Sequence, residues 1–299
     1  MQQENKTESG KNWHDKYYMM LLLIPLLLLA FSLVYLYNFY QVNDKNIMYK
    51  DVSLTGGTAV TIYEKINIDD LESSLSDKLE EMNIREVYDL VTKEQKAVII
   101  ETKTKGNEAK QILEEYLGYE LVAGENSDFE FTGSTLSENF YKQLLISILF
   151  AFVFMAIVVF ILFRTIVPSS AVILSAFADI VMTLALVNIL GMKMSSAGIV
   201  AFLMLIGYSV DTDILLTTRV LKRQEGSLNE RIFGAFKTGL TMTLTSLLAI
   251  IFALFVVKSF SIVLTQIFTI LAIGLGFDIF NTWITNVSIL KWYMEKKTQ

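Results

Sequence analysis

The sequence contains no cysteine and a single histidine, His14, which lies in the polar N-terminal tail. The lack of cysteine excludes disulfides, thiolate metal sites and cysteine nucleophiles. The lack of any later histidine removes histidine bases and ligands from the rest of the chain. Charged residues are also scarce, at 19% against roughly 25% in soluble domains, and the net charge is −6. A soluble enzyme and a nucleic-acid-binding protein, which needs a basic face, are therefore excluded.

Long apolar runs account for the 53% of hydrophobic residues. A membrane-spanning helix needs about 20 mostly apolar residues, and six runs reach that length: 19–40, 144–163, 166–190, 197–216, 238–257 and 262–290. The first run is longer than a signal-peptide core and ends in Tyr35, Tyr37 and Tyr40. Tyrosines of this kind are typical of a membrane interface, so we interpret the run as a retained anchor.

The runs divide the chain into one helix, one soluble insertion and a block of five helices. The predicted division is a tail at 1–18, a transmembrane helix at 19–40, an extracytoplasmic domain at 41–139, transmembrane helices 2–6 within 140–290, and a tail at 291–299. The fold class we expect is an α-helical membrane protein with an α+β domain inserted between helices 1 and 2.

Lysine and arginine residues predict the orientation. With the N-terminus inside, the inner segments hold twelve of them, whereas the short outer loops hold only Lys193 and Lys258. Short loops rich in Lys and Arg stay on the cytoplasmic side. We therefore expect both termini in the cytoplasm and residues 41–139 outside the cell membrane.

The insertion at 41–139 has the size of a small domain and carries 21 acidic against ten basic residues. Apolar periodicity predicts strands at 58–63, 87–91 and 97–102, with a turn at Lys93-Glu94, and helices at 69–82 and 107–117. Asp69 and Asn107 are the expected N-caps, and Gly118 the expected helix end. The last strand is either 121–122 or 129–131. The order β-α-β-β-α-β is the ferredoxin-like pattern.

Four aspartates fall inside predicted spans: Asp179, Asp211, Asp213 and Asp278. A carboxylate at bilayer depth costs about 2.5–3.5 kcal/mol and marks a functional candidate. At about 1.5 Å per residue, Asp179, Asp211 and Asp278 lie near mid-span. We therefore treat the four as candidate proton-coupling residues, and we expect no catalytic residue, metal or cofactor.

Asp211 and Asp213 are two residues apart, so they point to nearly opposite sides of a helix. Asp213 is nearer the inner end, where it can reach water by snorkelling. Asp211 is deeper and more desolvated, so we expect it to matter more. Supporting roles are expected for Thr241 and Thr245, whose hydroxyls either line a water path or bond their own backbone.

Residues 207–214, Gly-Tyr-Ser-Val-Asp-Thr-Asp-Ile, followed by Arg219, resemble the fourth-helix signature of the SecF family, in its archaeal form. Within it, Gly207, Tyr208 and Ser209 carry the resemblance together with Asp211 and Asp213. Arg219 is a supporting residue that either offsets a charge or marks the inner headgroups. Gly56-Gly57, just after the first span, is similar to the motif that opens the SecD/SecF outer domain. Asp179, the threonines of 238–246 and 274–281 extend the resemblance over nearly the whole chain.

This resemblance implies an auxiliary subunit of the Sec protein-export machinery. Its implied partners are SecD, the Sec translocation channel and the translocating unfolded polypeptide, with proton flow through the membrane acids as the implied energy source. One departure concerns the acids: the bacterial pattern reads Asn-Asp-Thr where this chain has Asp211-Thr212-Asp213. The bacterial acid therefore falls on Thr212.

Two other functions compete with this interpretation. The first is a half-transporter that exports a lipid or small molecule and belongs, like SecF, to the resistance-nodulation-division superfamily. Such proteins normally have a larger outer domain. An intramembrane aspartyl protease has a Gly-x-Gly-Asp motif, whereas residues 274–278 read Gly-Leu-Gly-Phe-Asp, and one extra residue rotates the acid by about 100°. Paired glycines more often permit close helix packing.

Overall fold

A computed structural model describes residues 13–89, 92, 94–222, 226–258 and 261–298. Six long helices in this part of the chain are apolar enough to cross a membrane. They are α1 (Trp13–Val42), α5 (Ser134–Phe163), α6 (Ile166–Ile189), α7 (Ser196–Lys222), α8 (Leu228–Val257) and a continuous final rod. The rod consists of α9 (Ile262–Phe280), a π-helical segment (Asn281–Asn286) and α10 (Val287–Thr298). The protein is thus a multi-pass membrane protein, as the apolar runs predicted.

The two ends of the bundle differ. We call the end with the α5–α6 turn, the start of α1 and the end of α10 the tail side, and the opposite end the domain side. Large apolar side chains on α1, α5 and α8, such as Leu27, Phe154 and Phe252, are more than half exposed. By contrast, α6 and α7 lie at the centre of the bundle and are about half buried or more. The outward apolar surface suits contact with lipid, and most polar side chains of α6 and α7, including Asp179 and Asp213, face the interior.

The inserted domain follows α1 on the domain side. A short helix, α2 (Val52–Thr55), precedes β1 (Gly57–Ile62), α3 (Ile68–Leu75), β2 (Asn83–Tyr88), β3 (Gln95–Thr102), α4 (Gly106–Leu117) and β4 (Ser127–Thr132). The strands form an antiparallel sheet in the order β2-β3-β1-β4. This confirms the ferredoxin-like fold, and β4 corresponds to the second of the two predicted last strands.

One face of the sheet is covered by α3 and α4 around an apolar core. Val60, Ile62, Val98 and Ile100 alternate inward from β1 and β3 and pack against Leu71. Their alternation is the period-two signal that predicted these strands. The core therefore lies between the sheet and its two helices.

Several predicted boundaries are wrong. The helix expected at 69–82 ends at Leu75, and its N-cap is Asn67, whose side chain accepts from the Asp69 amide at 3.1 Å. It ends early because the Glu80 backbone bonds to the Thr102–Thr104 segment instead: Glu80 O accepts from Lys103 N and from the Thr102 hydroxyl. A helix cannot also use those groups.

The second helix of the domain begins at Gly106, after Lys105, which makes no side-chain cap bond, so Asn107 is not the cap. Gly118 ends this helix in the left-handed conformation at φ 76°, as predicted. The strand expected at 87–91 spans Asn83–Tyr88. Val91 and Lys93, part of the predicted strand and turn, lie outside the described residues.

Gly57 has a structural reason to be glycine. Its φ is 140°, and a Cβ there would lie 2.4 Å from Thr102 O and 2.5 Å from Val52 Cγ1. A larger residue would separate β1 from the end of β3. Gly56, at φ 81°, ends α2 and accounts for the other half of the Gly-Gly pair.

Candidate functional site

Three of the four aspartates meet in the centre of the bundle. Asp179 on α6, Asp213 on α7 and Asp278 on α9 are all fully buried, with 0% exposure. Each belongs to a different helix, so the site exists only when the three helices pack together. We call Asp179, Asp213 and Asp278 the carboxylate cluster.

Both oxygens of Asp179 accept hydrogen bonds. The Ser209 hydroxyl of α7 donates to Oδ2 at 2.5 Å, and the Asn281 amide nitrogen donates to Oδ1 at 2.7 Å. A carboxylate held by two donors on two other helices has a fixed orientation. Asp179 is therefore the most completely bonded acid in the cluster.

Asp278 is held by two threonines. Thr212 donates to Oδ2 at 3.1 Å, and Thr282, one turn further along the same helix, approaches Oδ1 at 3.2 Å. The Thr282 Oγ1 atom also lies 2.9 Å from Asp213 Oδ1. A hydroxyl has only one hydrogen to donate, so Thr282 is shared between the two acids and links them directly.

The two carboxylate oxygens of Asp213 differ in the hydrogen bonds that they accept. Its Oδ1 accepts from the Asn286 amide nitrogen at 2.7 Å and from Thr282. Its Oδ2 is buried and forms no hydrogen bond with any described residue. Buried polar atoms are nearly always paired, so the free oxygen sets Asp213 apart from the other two acids.

The π-helical segment supplies the amides and the shared hydroxyl. Asn281, Thr282 and Asn286 all point to the cluster although they span more than one turn. A π-helix contains more residues per turn than an α-helix and commonly occurs at functional sites. The wider turn allows one helix to bond Asp179 and Asp213 from adjacent positions.

No described Lys or Arg forms an ion pair with an acid of the carboxylate cluster. Among the described residues, no group of His, Asp and Glu has the arrangement of a metal site. Three carboxyl groups in a medium of low dielectric repel one another when ionised. The cluster is therefore suited to holding protons.

The structure places Asp211 elsewhere. Its side chain is exposed on the outer surface of α7, beside Tyr208, which is 42% exposed, and Gly207. The expectation that Asp213 would reach water is wrong, because its side chain is completely enclosed. Of the two acids, the one nearer the end of the helix is the one inside.

The other predicted supporting residues do not touch the cluster. Thr241 and Thr245 are exposed on α8 and donate to carbonyls of their own helix, at 2.7 Å to Lys237 O and 2.9 Å to Thr241 O. Arg219 donates to Gly234 O and fastens the tail-side ends of α7 and α8 together. Ser209 and Thr212 are members of the fourth-helix motif that bind aspartates: Ser209 donates to Asp179, and Thr212 donates to Asp278.

The sequence interpretation missed Thr212, Thr282 and Asn286 as cluster residues and included Asn281 only within a motif. A signal was present, since Asn and Thr residues recur at 281–286 inside an apolar run. Asn and Thr side chains, like charges, are costly inside a membrane unless they are bonded, so their recurrence here indicates a polar site.

Helix α8 closes the site by close packing. A Cβ on Gly239 would lie 2.6 Å from Trp283 Cζ2 and 3.1 Å from Thr212 Cγ2. The glycine therefore allows α8 to approach the π-helical segment. Gly274 of α9 has a similar role, because a Cβ there would lie 2.5 Å from Leu205 Cδ1, whereas a Cβ on Gly276 would meet no atom of another described residue within 4 Å.

A junction joins the inserted domain to the membrane helices. Met194, between α6 and α7, exchanges backbone hydrogen bonds with the segment after α1, at 2.7 Å to Tyr49 O and 3.0 Å from Asp51 N. Burial raises the pKa of Asp51 above its ordinary value, partly offset by its bonds to Ser53, and burial lowers the pKa of Arg85, which pairs with Glu101. Next to this junction, a cleft of about 480 Å³ lies between the open face of the sheet and the membrane helices.

The fold and the cluster together define a class: a six-span membrane protein with a ferredoxin-like insertion and acids enclosed between its own helices. Residues 115–296 match the family model "Protein export membrane protein SecD/SecF, C-terminal". The chain is 41% identical to the protein-export membrane protein SecF of Methanocaldococcus jannaschii, over 93% of this chain and 96% of the relative. It belongs to the SecF family.

Other comparisons agree. The SecF of Methanolacinia petrolearia is 37% identical over 91% of this chain and 93% of its own length. The crystal structure of SecDF from Thermus thermophilus, described as a translocon-associated membrane protein, superposes with a TM-score of 0.74 at 20% identity. That match covers 96% of this chain but only 39% of the SecDF chain. The comparisons favour neither the half-transporter nor the protease.

Proposed function

We propose that the protein is a non-enzymatic subunit of the Sec export machinery that acts with SecD at the translocation channel and promotes the passage of an unfolded polypeptide. Its relatives are named as protein-export membrane proteins. The similar SecDF chain is more than twice as long as the matched region. This supports a complex in which a separate SecD chain provides the remainder.

The proposed orientation places both termini in the cytoplasm and residues 41–139 outside the cell membrane. The excess of Lys and Arg in the tail-side segments supports it. The tail side of the bundle is then cytoplasmic, and the inserted domain lies where an exported chain emerges.

Proton flow through the carboxylate cluster is the proposed energy source. The observation that carries this proposal is the enclosure of three carboxyl groups, two of them joined by the shared Thr282 hydroxyl, without a cation from the described residues. Such groups change charge only by gaining or losing protons. A change in the charge of one acid alters its bonds to the other helices, which gives the proton a way to move them.

The partner is proposed to cover the outer face of α7. Asp211, Tyr208 and Met204 lie on this face, and the two apolar or aromatic residues are more than 40% exposed. A carboxylate facing lipid at this depth is costly. A helix of SecD that offers a basic or hydrogen-bonding side chain to Asp211 removes that cost.

An export assay in cells tests the proton-coupling proposal. Asp213→Asn should leave the protein inserted but abolish its support of export, because an amide cannot exchange a proton. Asp211→Asn, two residues away on the same helix, is the matched control and should retain much of the activity. Normal export with Asp213→Asn at wild-type membrane levels would contradict the proposal.

A further inference from the structure

Two cavities lie end to end along one face of α9. The first, of about 330 Å³, is lined by β2, the α6–α7 loop and the first turns of α9, and it includes Lys193, Thr265 and Thr269. The second, of about 390 Å³, is lined by α1, α6 and the following turns of α9, and it includes Ala272 and Gly276. Positions 265, 269, 272 and 276 are three or four residues apart and therefore share one helix face. The second cavity thus continues the first towards the centre of the membrane.

The two cavities differ in chemistry. Arg85 and Lys193 line the first, and none of its described lining residues is acidic. Every described residue that lines the second is apolar, for example Leu28, Leu186 and Phe280. We call the first the cationic cavity and the second the apolar groove. Together they form a site that is positively charged at the domain-side surface and apolar inside the membrane.

The two cations of the cationic cavity have donors to spare. Lys193 forms no ion pair with a described acid. Arg85 pairs with Glu101, but its Nε is buried and forms no hydrogen bond with any described residue. Partial burial lowers the pKa of Lys193, and the nearby charge of Arg85 lowers it further. Asp51 and Glu81 act in the opposite direction but do not line the cavity. An anion that accepts from both cations would relieve their repulsion.

The apolar groove has the depth of one leaflet. Gly276 lies roughly 17 Å from Thr265 along α9 at the rise of an α-helix, and half of the hydrocarbon core is about 15 Å. Gly276 is exposed, and a Cβ there would meet no atom of another described residue within 4 Å. The groove is therefore open to the bilayer from the domain-side surface to about its centre.

The inserted domain closes the domain-side end of the site. Asn83 and Arg85 of β2 line the cationic cavity, so an occupant of the groove has to end beneath the domain. A membrane-spanning helix, about 10 Å wide, would continue past this level. A lipid ends there in its headgroup, so the shape and the charge of the site both favour a lipid.

We propose that the cationic cavity and the apolar groove together bind one membrane lipid with an anionic phosphate headgroup, in the leaflet on the domain side. The phosphate accepts from Lys193 and Arg85, and one chain of the lipid lies against α1, α6 and α9. The hydroxyls of Thr265 and Thr269 donate to carbonyls of their own helix, and their oxygens can still accept from a headgroup hydroxyl. The lipid joins the inserted domain to α9, and its binding does not depend on proton coupling.

Lipid titration of the full chain, followed by native mass spectrometry, tests the headgroup contact. The probes are dioleoylphosphatidylglycerol, which is anionic, and dioleoylphosphatidylcholine, which has no net charge. One phosphatidylglycerol per chain should bind saturably and at least tenfold more tightly than phosphatidylcholine. Lys193→Gln should abolish this preference. Lys258→Gln is the matched control, because Lys258 is the other lysine of the short domain-side loops and lines neither cavity; it should retain the preference.

The apolar groove is tested by filling it. Gly276→Leu places a side chain in open space and should lower the affinity for phosphatidylglycerol at least tenfold. Ala249→Leu enlarges an exposed position on α8 and should leave the affinity unchanged. The proposal requires a loss in both Lys193→Gln and Gly276→Leu, so a loss in only one of them would overturn it.

Other occupants give other results. Displacement of the lipid by millimolar inorganic phosphate would mean a site for free phosphate. Loss of SecD from purified Gly276→Leu, without saturable lipid binding to the wild type, would mean that a partner helix fills the groove. Non-saturable binding that is equal in all variants would mean ordinary surface lipid. Each of these results would overturn the proposal.

A second measurement needs no substitution in the groove. Phosphatidylglycerol with a photoreactive diazirine in one chain is added to phosphatidylcholine vesicles that contain the full chain, and the labelled peptides are identified after illumination. Labelling should concentrate within residues 272–280 and should fall at least tenfold with Lys193→Gln but not with Lys258→Gln. Labelling spread evenly over the exposed faces of α5, α8 and α9 would also overturn the proposal.

Discussion

The inserted domain and the membrane bundle distribute their charges in opposite ways. In the domain, most charged side chains lie on the surface in exposed pairs such as Lys78–Glu115, and the core between the sheet and its helices is apolar. The less exposed Arg85–Glu101 pair is an exception. In the bundle, the apolar side chains lie outside, and Asp179, Asp213 and Asp278 are enclosed. Exposed ion pairs contribute about 0–1 kcal/mol, whereas a buried carboxyl depends on every donor around it. An exposed charged side chain of the domain can therefore be replaced at little cost, whereas each buried acid of the bundle depends on its particular hydrogen-bond donors.

Among the changes that compare the two regions, Asp278→Asn is expected to cause the largest loss of export support. Asp278→Asn places an amide where two threonine hydroxyls donate, so one donor meets another and the link to Asp213 is lost. Export support should fall by a factor of 100 or more, since a buried polar mismatch costs about 1–3 kcal/mol and the titratable group is also removed. The measurement is export at matched membrane levels.

Glu115→Gln is the control from the inserted domain, where the acid is exposed and pairs with Lys78 at 3.6 Å. It should leave export unchanged. Similar losses for Glu115→Gln and Asp278→Asn would contradict the distinction between the regions.

For leucine side chains the two regions differ in the opposite sense, because the buried leucine compared here belongs to the domain and the exposed one to the bundle. Leu71 is completely buried in the domain core, and Leu248 of α8 is 65% exposed. Leu71→Ala should destabilise the inserted domain by about 2–5 kcal/mol. Limited proteolysis of the full chain in membranes should detect this as faster cleavage within 41–139. Leu248→Ala should leave the cleavage rate unchanged, and comparable sensitivity in both variants would mean that α8 does not face lipid.

A smaller effect is expected at the junction. Burial raises the pKa of Asp51 above 3.8, so the folded state binds this proton more tightly than the unfolded state. The stability contributed by Asp51 should therefore decrease as the pH rises from about 4 through the raised pKa. Asp51→Asn can still accept the Ser53 amide bond and should remove this pH dependence, measured as the melting temperature against pH. An unchanged pH profile in the variant would exclude Asp51 as its source.

The sequence predicts the spans and the ferredoxin-like order because both depend on local signals. Apolar runs and alternation in residues such as Val60 and Ile62 are visible without any tertiary contact. The end of α3 is not visible, because it depends on Glu80 bonding to a strand more than twenty residues away.

The cluster is predictable only in part. The two-residue spacing of Asp211 and Asp213 shows that they face opposite ways, but the neighbours of α7 decide which one is inside. The depth argument predicted that Asp211 is the more enclosed acid, and this is wrong, because the π-helical segment covers the tail-side half of α7. Which of the two acids matters more for function stays a prediction. The π-helix itself has no period that a sequence pattern detects, so the roles of Thr282 and Asn286 required the structure.

Proton flux in sealed vesicles that contain the chain with SecD is the most direct test of the central claim, that the enclosed Asp213 exchanges protons and the exposed Asp211 does not. An imposed pH gradient should collapse through the wild-type protein and through Asp211→Asn, provided SecD is still bound, and it should persist with Asp213→Asn. Flux that survives Asp213→Asn but stops with Asp211→Asn would contradict the claim.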